Sequence, residues 1–295
     1  MKFKIEFIFI MIFIKIIRLF PEKARFTFAA FLGRLTYKLI RKRREISLIN
    51  LRLVFPEMKE SEREKIAIKS LENLSKAFMS TLSFEEYLKT PGRVTLINTE
   101  VIDTAMARGK GAIFGVMHSG NMEASLKIAE KYHIITVAKK QKNPYLDNYI
   151  TKNREKLNIT LLKRNKRTGH DLINLLANND IIALFCDHRD GNGKVEFFGK
   201  ETIAPTGPVS IALRNKIPLF LAYNILNADN TSTSYVSEEI HLLDTGNFKS
   251  DLQENLQRLM YRMEKIIVEN PEQWMWCHDR WNIYKELKKN RLKNK

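Results

Sequence analysis

Short apolar runs and amphipathic stretches alternate along most of the chain from about residue 96 onward. The apolar runs carry β-branched or aromatic residues and occupy 112–117, 134–138, 181–186 and 217–225. Apolar residues at helical spacing lie near 121–131, 144–157, 168–178 and 208–215, and again at 249–269. Buried strands that alternate with helices predict an α/β domain, with a mainly parallel or mixed central sheet flanked by helices.

The chain before this alternation is predicted to be helical, from residue 22 to about residue 90. Ser61 and Glu64 have the spacing of a capping box, and large apolar residues then recur at helical intervals from Leu71 through Phe78 to Leu82. We expect this stripe to pack in the core. No repeat or flexible linker divides residues 22–284, so the sequence predicts one domain, followed by a basic tail at 285–295.

The first 21 residues are the most apolar segment of the chain. Residues 3–20, FKIEFIFIMIFIKIIRLF, still include Lys4, Glu6, Lys15 and Arg18. A helix that crosses a bilayer needs about 20 mostly apolar residues, so this segment is marginal for a crossing. We expect residues 1–21 to form a membrane-anchoring helix, either inserted or lying in the interface. A helix buried in the core is the alternative.

The balance of charge indicates an anionic partner. The chain has 50 Lys and Arg against 33 Asp and Glu, which gives a formal net charge of +17 at pH 7. Nucleic acid, an anionic membrane surface and a phosphorylated substrate all suit that charge. An apolar amino terminus serves no purpose in a nucleic-acid reader, whereas the basic run 41–44 beside an anchor attracts anionic lipid and marks the cytoplasmic face. We therefore expect a membrane surface and no nucleic acid.

Candidate chemistry begins where the predicted strand 112–117 ends, in the segment GVMHSGNMEAS. His118 follows the strand, Gly120 allows a tight turn, and Glu123 falls in the first turn of the next predicted helix. Open α/β sheets hold their sites at the carboxyl ends of strands. A carboxylate that accepts a hydrogen bond from one imidazole nitrogen leaves the other free as a general base. We therefore predict that Glu123 and His118 face each other at a cavity; a structural histidine beside a turn is the alternative.

Other sources of catalysis lack their motifs. Ser119 is not in a G-x-S-x-G elbow, the histidines do not form H-E-x-x-H, and Cys186 and Cys277 are too far apart for a C-x-x-C pair. No phosphate-binding loop is present either. We expect no metal and no nucleotide cofactor, and the nucleophile that remains is a hydroxyl group of the substrate.

Two further segments carry polar residues just after apolar runs. Asp187 follows the run 181–186, and Lys139, Lys140, Lys142 and Arg154 follow the run 134–138. If several of these basic residues converge beside His118, they form a phosphate or oxyanion site. Taken singly, each is as consistent with a turn residue or a solvated surface charge.

Taken in order, these segments resemble the bacterial lipid A biosynthesis acyltransferases, the late acyltransferases within the wider lysophospholipid acyltransferases. The resemblance extends over essentially the whole chain and includes the apolar first helix, the H-x4-E spacing of His118 and Glu123, and Asp187. The remaining segments that carry it are NLRLVFPEMKESERE (50–64), KNPYLDNYITKNRE (142–155), FFG (197–199), APTGP (204–208) and PEQWMWCHDR (271–280).

The resemblance implies a glycerolipid acyltransferase-like fold and an inner-membrane enzyme whose catalytic domain lies on the cytoplasmic side. It implies transfer of a fatty acyl chain from acyl carrier protein, or from acyl-CoA, to a hydroxyl of a lipid A precursor in lipopolysaccharide biosynthesis. The transfer would use no cofactor and form no acyl-enzyme. An acyltransferase for another glycolipid or lysophospholipid, a non-catalytic basic membrane-binding protein and a lipid esterase are the alternatives.

The resemblance also implies roles for single residues. His118 would be the base and Glu123 would orient it. Substrate binding or oxyanion stabilisation would fall to Lys139, Arg154, Asp187, Gly199 and Thr206. The chain departs from the family pattern at three positions: arginine is usual in place of Lys139, glutamine in place of His188, and glycine in place of Asn158.

Overall fold

The structure is a computed structural model that describes residues 1–165, 167–176 and 178–293. Its α-helices are α1 (Lys2–Arg18), α2 (Glu22–Leu39), α3 (Arg41–Val54), α4 (Glu60–Leu82), α5 (Phe84–Lys89), α6 (Glu100–Met106), α7 (Pro144–Glu155), α8 (Thr168–Leu176), α9 (Gly207–Asn215), α10 (Phe248–Glu269) and α11 (Ile283–Lys293). Its strands are β1 (Val94–Ile97), β2 (Ala112–Val116), β3 (Ile134–Ala138), β4 (Ile159–Lys163), β5 (Ile181–Phe185), β6 (Gly193–Phe197), β7 (Lys200–Ala204), β8 (Leu219–Leu226) and β9 (Ser232–Val236). Residues Ala124–Glu130 and Pro271–Gln273 form 3-10 helices.

Seven strands form one sheet in the order β1-β9-β8-β2-β5-β3-β4, and β6 and β7 form a separate antiparallel hairpin. The five strands from β8 to β4 run parallel, and β9 pairs antiparallel with β8. The predicted α/β fold with a mainly parallel central sheet is therefore confirmed. The carboxyl ends of the five parallel strands meet along one edge, where the chain places its polar residues.

The two faces of the central strand β2 separate two clusters of buried side chains. Ile113 and Met117 belong to the cluster that includes α9, α10 and the tryptophans of segment 271–281. Phe114 and Val116 belong to the cluster that includes α5 and α6. Because side chains alternate along a strand and both faces are covered, β2 is a continuous apolar run, as strands of parallel sheets are.

The four predicted strands and the helices predicted between them are present, one helix is of a different type, and β1, β4, β6, β7 and β9 were not predicted. The helix predicted at 121–131 is the 3-10 helix Ala124–Glu130. The segment FFG is the turn of the β6–β7 hairpin, in which Phe198 and Gly199 have φ of 53° and 66°. Positive φ at both central residues is the geometry of a type I′ turn, whose twist matches that of the flanking strands.

The capping box predicted for α4 is wrong, and the predicted core stripe holds only in part, since Leu71 is buried and Phe78 is not. The helix begins at Glu60 after Lys59, without a side-chain cap, and Phe78 is 64 % exposed. The buried face instead includes Ser70 and Asn73, whose side chains donate to main-chain carbonyls of Trp274 and Glu272. Because α4 holds the segment 271–281 by side-chain hydrogen bonds to its main chain, part of its buried face consists of polar residues. A pattern based on large apolar residues does not detect such positions.

Helix α1 lies on the surface and packs on α7. The Asn143 side chain donates to the carbonyl of Phe3 at 2.9 Å, and the Phe7 ring stacks on Tyr145. Only Ile14 and Ile17 of α1 are buried, so the alternative of a core helix is wrong. Among the described residues, no helix has both the length and the apolar character that crossing a membrane requires.

The carboxyl-terminal residues continue the fold further than the sequence indicates. Most of the predicted basic tail belongs to α11, which packs on α3. Lys285, Lys288 and Lys289 therefore lie on a helix.

Candidate active site

His118 and Asp187 meet because they follow neighbouring strands. Val116 at the end of β2 pairs with Phe185 at the end of β5. His118 lies two residues after Val116, and Asp187 lies two residues after Phe185. Nδ1 of His118 is 2.7 Å from Oδ1 of Asp187, and the His118 amide donates to Oδ2 at 2.7 Å. The carboxylate therefore binds both the ring and the main chain of the histidine.

The environment of Asp187 keeps it ionised. The residue is 2 % exposed, and burial alone would raise its pKa. The charge of the imidazolium, together with hydrogen bonds from the ring, from the Trp274 indole at 2.9 Å and from the His118 amide, outweighs burial and holds the pKa well below its usual range. A permanently charged carboxylate on Nδ1 fixes the tautomer of His118 and stabilises its protonated form.

The predicted contact between Glu123 and His118 is corrected by this geometry. Glu123 pairs with Arg154 at 2.6 Å, and both side chains are mostly buried, at 17 % and 12 % exposed. Asp187, expected to bind substrate, instead has both oxygens occupied by His118 and Trp274. Asp187 thus takes the place beside the ring that was expected for Glu123, because the pairing of β2 with β5 puts the residue after β5 next to His118.

The backbone around His118 is fixed from the other side by the segment 271–281. Met275 donates its amide to the His118 carbonyl at 3.2 Å, and Gly120 donates to the Gln273 carbonyl at 2.8 Å. Gly120 has φ of +52°, and a Cβ there would lie 2.5 Å from the Asn224 carbonyl oxygen. The expected tight turn is confirmed, and only glycine fits it.

An apolar cavity of about 220 Å³ lies on one side of the histidine. It runs between one face of the sheet and the helices α6, Ala124–Glu130 and α7. Its wall consists largely of aliphatic and aromatic side chains, among them Ile102, Phe114, Val116, Leu126, Ile128, Ile134, Ile150, Leu161, Ile181 and Phe185. Protein interiors hold few voids larger than a water molecule, so a cavity of this size and lining suits an aliphatic chain.

A wider groove of about 860 Å³ lies on the other side and is lined by His118 itself. Val137, Ala138 and Phe185 line both the groove and the cavity, so the two spaces adjoin. The Phe185 ring stacks on the imidazole with centroids 4.0 Å apart. The histidine therefore lies where an enclosed apolar cavity meets a more open groove.

The structure separates the other predicted site residues. Lys139 and Thr206 line the groove, whereas Arg154 lines the cavity beside Glu123. Gly199 lies in the β6–β7 turn, outside the residues that line these two spaces. The expected convergence of basic residues is thus partial, because Arg154 belongs to a different chamber from Lys139.

Two more histidines lie near the pair. His188 also lines the groove, its ring is edge-on to His118 with centroids 5.8 Å apart, and its buried Nδ1 has no partner among the described residues. Burial lowers the pKa of both His188 and His278. His118, Asp187 and His188 can bring ligand atoms within 4.8 Å of one another, but both Asp187 oxygens already accept hydrogen bonds, so we assign this group no metal.

Sequence reasoning missed Trp274 and Arg280 as parts of the site. Trp274 is the second donor to Asp187, and Arg280, fully buried, holds the β6–β7 hairpin through Thr202 and the Ile203 carbonyl. The segment PEQWMWCHDR could have indicated them, because it contains two tryptophans close together and an arginine. Tryptophans are mostly buried, and a buried arginine requires hydrogen-bond partners.

An apolar cavity that adjoins a histidine–aspartate pair fits an O-acyltransferase, an enzyme that transfers an acyl group to a hydroxyl. More narrowly, the chain belongs to the bacterial lipid A biosynthesis acyltransferase family, which matches residues 2–283. The family resemblance of the ordered segments is thereby confirmed, and so is the expectation of an enzyme over a non-catalytic binding protein.

Individual relatives agree with this membership. The chain is 26 % identical over 262 residues to the lipid A biosynthesis lauroyltransferase of Escherichia coli, covering 86 % of this chain and 84 % of the relative. It is 26 % identical over 200 residues to the phosphatidylinositol mannoside acyltransferase of Mycolicibacterium smegmatis, covering 64 % and 62 %. It is 30 % identical over 135 residues to lipid A biosynthesis acyltransferase 2 of Shigella flexneri, covering 44 % and 43 %.

Proposed function

We propose that this protein transfers a fatty acyl chain from the thioester of acyl carrier protein to a hydroxyl of a lipid A precursor, with His118 as the general base. One observation carries the proposal. Asp187 occupies Nδ1 of His118, while Nε2 has no hydrogen-bond partner within the described part of the chain and the side chain lines the groove. A histidine oriented in this way is ready to accept a proton from a bound alcohol.

The reaction then proceeds in one transfer. Nε2 of His118 removes the proton of the acceptor hydroxyl as its oxygen attacks the thioester carbonyl, and Asp187 stabilises the imidazolium. The tetrahedral intermediate collapses with cleavage of the carbon–sulfur bond. The leaving thiolate takes the proton from Nε2, which restores the base and releases the ester and the free thiol.

The two chambers suit the two substrates. The apolar cavity would take the acyl chain of the donor, because a saturated chain offers only apolar surface and gains from leaving water. The groove, which is open and carries Lys139 and Thr206, would take the acceptor headgroup. The thioester carbon would then lie between them, beside the ring held by Phe185 and Asp187.

Arg154 is the candidate donor to the developing oxyanion. One of its guanidinium nitrogens binds Glu123, the guanidinium lies 3.9 Å from the centroid of the Phe84 ring, and Nη1 is buried without a partner among the described residues. A buried donor that is held in place and unpaired is costly unless a ligand satisfies it. Glu123 in this role positions Arg154 and does not touch the base.

We further propose that α1 and α2 hold the enzyme on the cytoplasmic face of the inner membrane. Large apolar side chains are exposed along both helices, including Phe9 at 66 % and Phe13 at 50 % on α1 and Phe31 at 51 % on α2. Basic residues flank them, from Lys15 to Arg44. An apolar face with cationic borders is the composition that binds an anionic bilayer surface.

A different glycolipid acceptor has one specific observation in its favour. The similarity to the phosphatidylinositol mannoside acyltransferase is as high as that to the lauroyltransferase, although it covers less of the chain. Mass spectrometry of lipids from cells with and without the gene distinguishes the acceptors. Loss of one acyl chain from lipid A supports the main proposal, and loss from another glycolipid replaces its acceptor.

Transfer by the purified protein in detergent tests the base directly. Wild-type protein should move an acyl chain from acyl carrier protein to the lipid acceptor, and His118→Ala should reduce the rate by about 10² to 10⁴. His133→Ala is the matched control, because His133 also pairs with an aspartate, Asp180, at 2.9 Å, but precedes β3 at the opposite edge of the sheet. Equal rates for wild type and His118→Ala would contradict the assignment of the base. Release of free fatty acid without acceptor would indicate an esterase.

A further inference from the structure

Arg280 is a buried cation whose hydrogen-bond partners are all uncharged. The residue is fully buried, and its guanidinium donates to the Thr202 hydroxyl at 2.9 Å and to the Ile203 carbonyl at 2.7 Å. The guanidinium carbon lies 4.8 Å from the centroid of the Phe197 ring, Nη2 lies 3.8 Å from the Met260 sulfur, and Nε has no partner among the described residues. Burial lowers the pKa of Arg280 to about 10, which leaves it charged at neutral pH.

A buried charge of this kind is unfavourable for folding. A cation that leaves water loses its hydration, and an opposite charge in direct contact usually offsets part of that loss. Arg25, which is buried on α2, has such a partner in Glu86 at 2.8 Å. Arg280 has only neutral partners within the described part of the chain. Since an apolar side chain of similar volume is often no worse for stability in such a place, the position of Arg280 points to a role for the charge itself.

Arg280 is connected to the His118–Asp187 pair through two aromatic rings. The Phe197 ring that it contacts packs on Trp274 with centroids 5.8 Å apart, and the Trp274 indole donates to Asp187 at 2.9 Å. Among the charges that act on Arg280, that of Asp187 has the largest effect, and it opposes the effect of burial on the pKa of Arg280. The interaction of two charges is mutual, so Arg280 acts on the pair in return. Because Arg280 is buried, water and salt screen its charge much less than a charge on the surface.

Most of the other charged groups around the pair are paired or exposed. Arg164 pairs with Asp190 beside the groove, and Arg154 pairs with Glu123 beside the cavity, so the charges within each pair largely cancel. Water and salt screen the exposed charges, which are those of Lys139 after β3, Arg189 after β5, Arg214 on α9 and the hairpin residues Lys194, Glu196, Lys200 and Glu201.

The less exposed titratable groups near the pair add no positive charge at neutral pH. Burial raises the pKa of the Cys186 thiol and lowers the pKa of His188 and His278, which favours the neutral form of each. Glu264 on α10 and Asp279 before α11 are acidic and accept hydrogen bonds from main-chain amides. Of the described groups around the pair, only the guanidinium on Phe197 is therefore both positively charged and fully buried.

We propose that the buried charge of Arg280 keeps His118 in the neutral form that accepts a proton. The inference rests on the proposed function, in which His118 is the base. The Asp187 carboxylate by itself favours the imidazolium, which has no free nitrogen to accept a proton. The positive charge of Arg280 disfavours the imidazolium, so the base stays available for the acceptor hydroxyl. Arg280 is buried away from the groove and acts through the pair, and it is therefore a positioning residue.

The pH dependence of kcat/KM tests the role of this charge. Its acid side reports the protonation of the base in the free enzyme. Arg280→Met removes the charge, so more of His118 is protonated in acid, and the ratio of kcat/KM at about pH 6 to that at about pH 8 should fall at least about threefold. Arg280→Lys loses the same fork of hydrogen bonds to the hairpin but keeps a charge, and its ratio should stay close to that of the wild type. An unchanged ratio in a folded Arg280→Met variant, or an equal fall in both variants, would overturn the proposal.

A second pair of variants keeps the guanidinium and its hydrogen bonds to the hairpin. Because Met260 lies 3.8 Å from Nη2 of Arg280, Met260→Glu places a carboxylate beside the charge and neutralises it. Met260→Gln has nearly the same shape without a charge and is the matched control. The ratio of kcat/KM between the two pH values should fall in Met260→Glu and not in Met260→Gln. This pair decides the question if Arg280→Met does not fold, and equal ratios in the two variants would contradict the role of the charge.

Titration of the imidazole separates this inference from the proposed function. NMR of protein made with isotope-labelled histidine follows His118 without any substrate, and the variant His118→Gln assigns its signal. If the wild type transfers no acyl chain but His118 takes up its proton at higher pH in Met260→Glu than in Met260→Gln, the proposed function fails and the role of Arg280 stands. If acyl transfer requires His118 and the two variants titrate alike, the inference fails alone.

Discussion

Nδ1 of His118 and Oδ1 of Asp187 lie 2.7 Å apart although 69 residues separate them along the chain. The pair exists because β2 and β5 are adjacent and in register, so that both side chains leave the sheet at the same edge. The same carboxylate accepts from the His118 amide and from the Trp274 indole. Three donors from two segments therefore fix one acceptor, and the imidazole can turn only as far as that acceptor allows.

Replacing Asp187 with asparagine should disable the proposed base without unfolding the protein. The amide keeps the shape of the side chain but cannot stabilise an imidazolium, and it favours the wrong tautomer, so kcat should fall by about 10³ to 10⁴. The measurement is acyl transfer at saturating donor and acceptor, with circular dichroism to verify folding. Asp180→Asn, which changes the His133–Asp180 pair in the same way, should leave kcat within about twofold. A folded Asp187→Asn variant with wild-type kcat would contradict the role of this pair.

Trp274→Phe should weaken the site more than the loss of one hydrogen bond elsewhere. The indole N–H donates to the buried Asp187 carboxylate, and a hydrogen bond to a charged group contributes about 1.5–3 kcal/mol. We expect kcat to fall about tenfold, because the carboxylate gains freedom to move away from the ring. The matched control is Trp281→Phe, whose indole donates to the Phe197 carbonyl at 3.1 Å. If both variants lose the same stability and the same kcat, Trp274 serves packing alone.

The Glu123–Arg154 pair should show strong coupling in a double-mutant cycle. Removing one partner leaves a mostly buried charge unpaired, which typically destabilises by about 3–5 kcal/mol. The double variant Glu123→Gln/Arg154→Met should lose less stability than the sum of the losses in the two single variants. The free energy of unfolding of each variant is measured by urea unfolding. The exposed pair Arg108–Glu239 is the control, and its coupling should stay below about 1 kcal/mol. Additive losses at Glu123 and Arg154 would show that the two do not stabilise each other.

Ala183→Leu should shorten the acyl chain that the enzyme prefers. Ala183 and Phe185 face the same cavity from β5, and Ala183 lies about 6–7 Å deeper, given a strand rise of about 3.3 Å per residue. A larger side chain there fills the far part of the cavity, so kcat/KM for long donors should fall at least roughly tenfold relative to short ones. Ile182→Leu, on the opposite face of the same strand, should not change the preference. An unchanged chain-length profile for Ala183→Leu would show that the acyl chain lies elsewhere.

Much of the fold follows from local patterns in the sequence. The apolar runs that became β2, β3, β5 and β8 are recognisable because a strand buried on both faces is apolar throughout. The position of His118 at a strand end is local as well, since a turn glycine directly follows it. The strands β1, β4, β6, β7 and β9 were missed because polar residues interrupt their apolar pattern. Their pairing partners, and not their own periodicity, make them strands.

The sequence by itself determined that a histidine would stand at the carboxyl end of a buried strand and that the first helix would be apolar with charged residues. Tertiary structure alone decided which carboxylate reaches the imidazole, and that Lys139 lines the groove whereas Arg154 lines the cavity. Both decisions depend on the order of strands in the sheet, which joins distant segments through hydrogen bonds between main chains. The spacing of residues along the chain does not reveal the order of strands. The sequence therefore pointed to Glu123, the acidic residue nearest to His118 along the chain, whereas Asp187 is the one that contacts the ring in the structure.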